Sequence, residues 1–129
     1  MKRHPELLQL SREHYGALKL ARDARRAAES EEASAVRALA QRVVQTFAAE
    51  LDPHFCIEEQ GVLELLTQAG QHALVARTRA DHAELRRLAM LLTTPEADTL
   101  QRFADLLATH VRFEERELFA TVQETAASS

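Results

Sequence analysis

The sequence predicts an all-α protein folded as one up-down-up-down four-helix bundle. Its 129 residues are dominated by helix formers such as Ala, Leu, Arg, Glu and Gln, and glycine and proline contribute only three residues each. Hydrophobic residues make up 46% of the chain and recur at steps of three and four in four successive stretches. Short turn signals separate those stretches, so consecutive helices should be antiparallel neighbours. A chain of this length fits a single domain, taken as residues 1–129.

The first helix should run from about Glu6 to Ala28, with Leu7, Leu10, His14, Leu18 and Ala21 as its inward stripe. The polar stretch Glu29 to Ser34 reads as a turn, with Ser34 able to cap the second helix. That helix spans about Ala35 to Gln68, with the stripe Val43, Phe47, Leu51, His54, Glu58, Val62 and Leu65. Pro53 lies inside it and should either kink it just before His54 or break it into two shorter helices. Ala69-Gly70 supplies a stop, because glycine tolerates the left-handed conformation that ends many helices.

The third helix covers about His72 to Leu92, and its seam is Val75, Thr78, His82, Leu85, Ala89 and Leu92. Thr94-Pro95 has the form of an N-cap followed by proline at the first helical position. The fourth helix continues to about Glu124, with Leu100, Phe103, Leu107, His110, Glu114, Leu118 and Thr121 facing inward, and the last four residues should form a frayed tail.

The formal charge is -4 and arginines alternate with acids, so no basic face is set aside for phosphates and nucleic acid is not an expected partner. No apolar run approaches the roughly 18 residues of a membrane span. The start, Met-Lys-Arg-His-Pro, lacks the apolar core of a signal peptide. The lone Cys56 fits a reducing compartment, and a soluble cytoplasmic protein is expected.

Two units of the form His-x-x-x-Glu, His54/Glu58 and His110/Glu114, each place an imidazole and a carboxylate one turn apart on one helix face. Such a pair is common on solvated surfaces, where it is a salt bridge. Here both units replace apolar residues in an inward stripe, where ionisable groups are costly unless paired or bound to metal. A test of level strengthens the case. If His14, His54/Glu58, His82 and His110/Glu114 share one layer, the joining turns must lie midway between them, near residues 35, 69 and 97. The turn signals lie at about 29–34, 69–70 and 93–95. Four imidazoles and two carboxylates therefore converge, a donor set suited to iron, manganese or zinc.

The segments Ser-Arg-Glu-His14-Tyr, His54-Phe-Cys-Ile-Glu58-Glu, Asp-His82 and His110-Val-Arg-Phe-Glu114-Glu resemble the hemerythrin-like, or HHE cation-binding, domains over nearly the whole chain. The resemblance implies a non-haem di-iron centre in which Glu58 and Glu114 bridge two iron ions and His14, His54, His82 and His110 are terminal ligands. It departs from the oxygen-carrying hemerythrins on the third helix, where Thr78 and Arg86 flank His82 and a fifth imidazole is missing. The last carboxylate is also a glutamate after four residues, where those proteins have an aspartate after five. Both differences argue against reversible oxygen transport, and an equal division of histidines leaves a position open on each metal.

Other polar residues are expected to be bystanders. His4 and His72 fall outside the layer and should be solvated; Glu59 and Glu115 should point away from it. Cys56 is rotated roughly 200° from His54 and reads as a buried structural thiol. Tyr15 and Glu117 are open between contact with the site and exposure, and Glu117 is a candidate extra ligand.

The leading functional expectation is a di-iron protein that binds or senses a small diatomic or oxidising molecule such as dioxygen, nitric oxide or peroxide. The rival is a di-iron enzyme of the oxidase, peroxidase or nitric-oxide-handling repair type. Ferritin-like iron handling ranks lower, because that chemistry uses Glu-x-x-His units. A purely structural helical adaptor is the fourth reading, and metal analysis separates it from the rest.

Overall fold

The computed structural model describes the backbone of residues 5–128 and the side chains of 7–125. Four helical rods are joined by short turns. Helix α1 is Pro5–Glu29. Helix α2 consists of Ala33–Thr46, a π-helical turn at Phe47–Leu51, Asp52–Gln60 and, past a break at Gly61, Val62–Gln68. Helix α3 is His72–Leu91, and α4 consists of Ala97–Phe113, a second π-helical turn at Glu114–Leu118, and Phe119–Ser128. Helix α1 packs against α2 and α4, and α3 packs against the same two, which is the expected up-down-up-down bundle.

Alternating small and large residues bring the rods together. Ala24, Ala40 and Ala104 are fully buried and let their helices approach closely, while Phe103, Leu100 and Leu85 fill the space between. The core is divided in two. One apolar cluster, around Phe103, Leu107 and Leu20, fills the end nearest the α1–α2 turn. A second, around Leu10, Leu66 and Phe119, fills the opposite end. Buried His14, His54, Glu58, Thr78, His82, His110 and Glu114 form the polar layer of the protein.

The turns hold some expectations and correct others. Gly70 adopts φ 82°, the Gln71 amide donates to the Leu66 carbonyl and the Gly70 amide to that of Thr67. That pattern is the glycine-dependent stop expected at Ala69-Gly70. Ser34 does not cap α2; Ser30 organises the turn instead, its hydroxyl donating to the Ala27 carbonyl and accepting from the Glu32 amide. Pro95 lies before α4 rather than at its first position, because Glu96 is the extended residue that begins it. The fourth helix also runs beyond Glu124, to Ser128, where a frayed tail was expected.

Pro53 neither simply kinks nor breaks α2. The π turn lies just ahead of it, at the place where its ring would meet the Ala49 carbonyl four residues back, and the Asp52 amide donates to Phe47. The break falls at Gly61 instead, a residue that the helical pattern had absorbed. These irregularities move the inward stripe. Leu66 is buried and Leu65 is exposed, Val122 is buried and Thr121 is not, since a π turn adds one residue and rotates everything beyond it by about 100°. On α1 the inward residue is Ala17, with Leu18 exposed.

Candidate metal centre

All six residues singled out from sequence meet in the polar layer. His14 comes from α1, His54 and Glu58 from α2, His82 from α3, and His110 and Glu114 from α4, each at most 4% exposed. Two groups of donor atoms form there, His14/His54/Glu58/Glu114 and Glu58/His82/His110/Glu114, with the atoms of each group within 4.8 Å of one another. The two carboxylates belong to both. Glu58 Oε2 is 3.2 Å from His54 Nε2 while its Oε1 is 3.1 Å from His82 Nε2. Glu114 Oε1 is 2.7 Å from His14 Nε2 while its Oε2 is 3.2 Å from His110 Nε2. Each glutamate thus gives one oxygen to either half.

Four further acids surround this layer. Each imidazole donates its Nδ1–H to a carboxylate on a neighbouring helix: His54 to Glu13 at 2.7 Å, His82 to Glu59 at 2.7 Å, His110 to Asp81 at 2.9 Å and His14 to Glu115 at 2.8 Å. A carboxylate at Nδ1 fixes the proton there and turns the lone pair of Nε2 inward. The four contacts close a ring, α1 to α2, α2 to α3, α3 to α4 and α4 to α1. The ring is anchored from outside: Arg86 donates to Glu59 and Asp52, and Ser11 donates to Glu115. Glu59 and Glu115 therefore do not point away, as expected from sequence. Each ring acid is the direct neighbour of a layer residue, and a rotation of about 100° places it on the flank facing the next helix.

The inner atoms are left without partners. His54 Nε2, both Glu58 oxygens, His82 Nε2, His110 Nε2 and Glu114 Oε2 are buried and make no hydrogen bond, because the contacts near 3 Å miss the angle that one requires. Such a cluster is costly in a bundle core unless a cation satisfies it. Charge is redistributed accordingly. Burial opposes the charge on His54 and His110, but the carboxylates beside them outweigh it and raise their pKa values to about 10 and about 9. Burial and the neighbouring Glu114 push Glu58 above the usual carboxylate range. Glu114 goes well below that range, since His110, His14 and His54 outweigh its own burial.

A family model, the hemerythrin HHE cation-binding domain, matches residues 7–122. The chain belongs to this family. No curated protein and no solved structure matches it. A buried His/Glu cluster in an HHE domain makes this a metal-binding protein of the hemerythrin-like kind.

The remaining residues of the HHE domain fall into place. His72 is exposed as expected, and His4 lies outside the described residues. Tyr15 is 81% exposed and does not reach the layer. Glu117 turns outward toward Arg77, so it is not an extra ligand; the π turn that begins at Glu114 displaces it. Cys56 is half-buried, not enclosed, with its sulfur 3.9 Å from the Arg86 guanidinium. Thr78 is fully buried and donates to its own helix at the Leu74 carbonyl. Among the described residues, no helix is long and apolar enough to cross a membrane.

The two halves differ in access. A cavity of about 560 Å³ between α1 and α2 is lined by His14, His54, His110 and Glu114, but not by His82 or Glu58. Phe55 covers His82, with ring centroids 4.0 Å apart and planes 9° from parallel. The outer acids follow the same division: Glu13 and Glu115 are 39% and 34% exposed, Glu59 and Asp81 only 20% and 18%.

Proposed function

We propose that this protein holds two iron ions per chain and uses them to bind or sense a small oxidising or diatomic molecule. The observation that carries this reading is the division of the Glu58 and Glu114 oxygens between two histidine pairs. Glu58 and Glu114 bridge, His14 and His54 complete one metal's ligands, and His82 and His110 complete the other's. Iron there would supply electrons to dioxygen, nitric oxide or peroxide. The chain's own part is to orient four Nε2 atoms, exclude bulk water from the His82 side and leave the His14/His54 side open to the cavity. The cavity also favours a second reading, a di-iron oxidase, peroxidase or nitric-oxide-handling enzyme, because it exceeds what a diatomic molecule fills. Lone, unpaired Cys56 supports a reducing, cytoplasmic setting.

Reconstitution with ferrous iron should give about two metal ions per chain by elemental analysis. A stoichiometry of zero would end this reading. Admitting air to the reduced, loaded protein should give a diferric spectrum that evacuation does not reverse. Neither Thr78 nor Arg86 offers the additional imidazole on which an oxygen carrier of the hemerythrin type relies. Full return to the diferrous spectrum under vacuum would restore the carrier reading.

The ring of acids has its own expected signature. Glu13→Gln, Glu59→Gln and Asp81→Asn should each weaken metal binding by roughly 10- to 100-fold, because the imidazole loses its orienting partner. Competition with a chromophoric chelator measures this, with exposed Glu64→Gln as the control. Unchanged affinity in all three ring variants would reduce those contacts to surface ion pairs.

A further inference from the structure

Two residues that weaken helices border the same cavity. Gly16 lies inside α1, where glycine is the poorest helix former short of proline. A Cβ built there meets no atom within 4 Å, so close packing does not explain the glycine, and it has no left-handed backbone that would require one. Across the cavity, Pro53 and the π turn Phe47–Leu51 interrupt α2, and Ala49, Glu50 and Leu51 of that turn line the space. Sequence irregularities on both helices coincide with one opening. Its floor is apolar where Ala17, Leu20, Leu107 and Val111 lie beside His14 and His54. Arg12, Lys19 and the half-buried Arg42 supply positive charge around it, in a chain whose net charge is -4. The acids on the lining are Glu13, already engaged by His54, Glu50 and the buried Glu114.

We propose that this cavity, reached past Gly16, is a binding site for an organic anion with an apolar body. The volume, about 560 Å³, lies within the roughly 300–1,000 Å³ of small-molecule pockets, whereas a water molecule takes about 30 Å³ of liquid. The cations hold the charged end, and the apolar floor takes the body beside the His14/His54 half of the centre. This rests on the di-metal reading only for what lies at the inner end.

Octanoate is the probe, with formate and octanol as comparators, titrated into isotope-labelled, zinc-loaded protein and followed by amide chemical shifts. Octanoate should shift Gly16, Ala17, Ala49 and Leu51 saturably, and more tightly than either comparator. Gly16→Leu, which fills open space, should weaken octanoate binding at least about tenfold while metal content stays unchanged. Gly16→Ala should raise the melting temperature and keep octanoate binding, since the glycine serves access rather than folding. Absence of those shifts, equal binding of octanol or formate, or full affinity in Gly16→Leu would overturn the proposal. A lower melting temperature in Gly16→Ala would overturn the role given to Gly16. Metal analysis of the same samples reports separately on the di-metal reading, so the two can fail independently.

Discussion

Replacing either Glu58 or Glu114 by alanine is expected to release both metal ions at once. Each carboxylate serves two halves through two oxygens, so its loss removes one ligand from each metal and the group that joins them. The remaining glutamate and four imidazoles then face two cations with less negative charge to neutralise them. The protein should remain helical, because the layer lies between two apolar clusters that the substitution does not touch. Metal analysis of folded, gel-filtered protein measures the effect, with His72→Ala as an exposed control and His4→Ala as a second. Retention of two metals in both glutamate variants would show that these residues do not bridge. Loss in the histidine controls would show general fragility instead.

Removing the metal should lower the melting temperature by more than about 10 °C. Binding to the folded state alone adds about 4 kcal/mol at a thousandfold excess over Kd, and each kcal/mol moves the midpoint by roughly 3–5 °C in a domain of this size. The shift should also depend on pH in a stated direction. In the metal-free protein His54 and His110 have pKa values raised from 6.5 to about 10 and about 9. Their protonated contribution to stability is fully present below 6.5 and is lost as pH rises through 9 and 10. Glu114, with its lowered pKa, contributes above the ordinary carboxylate value of 4.5 and loses that contribution as pH falls through its depressed value. Metal competes with the histidine protons, so its binding strengthens as pH rises. The gap between loaded and metal-free melting temperatures should therefore widen from about pH 6.5 to pH 9. Calorimetry across that range would detect it; a gap that is absent, or that narrows, would argue against ligation by these imidazoles.

The sequence by itself determined the four helices, the turn at Gly70 and the level at which the six layer residues meet. These rest on local rules: apolar spacing sets which face of a helix turns inward, and chain length between turns sets which residues are equally deep. Tertiary structure decided the rest. The π turns at Phe47–Leu51 and Glu114–Leu118 are not written in spacing, and the second one turns Glu115 toward His14 while moving Glu117 outward. The ring of Glu13, Glu59, Asp81 and Glu115 is likewise a property of neighbouring rods, because each acid partners an imidazole on a different helix. Periodicity identifies the residues that face the core. It does not say which neighbour a flanking side chain will meet, since that depends on the rotation of two packed helices about their axes, and packing alone fixes that rotation.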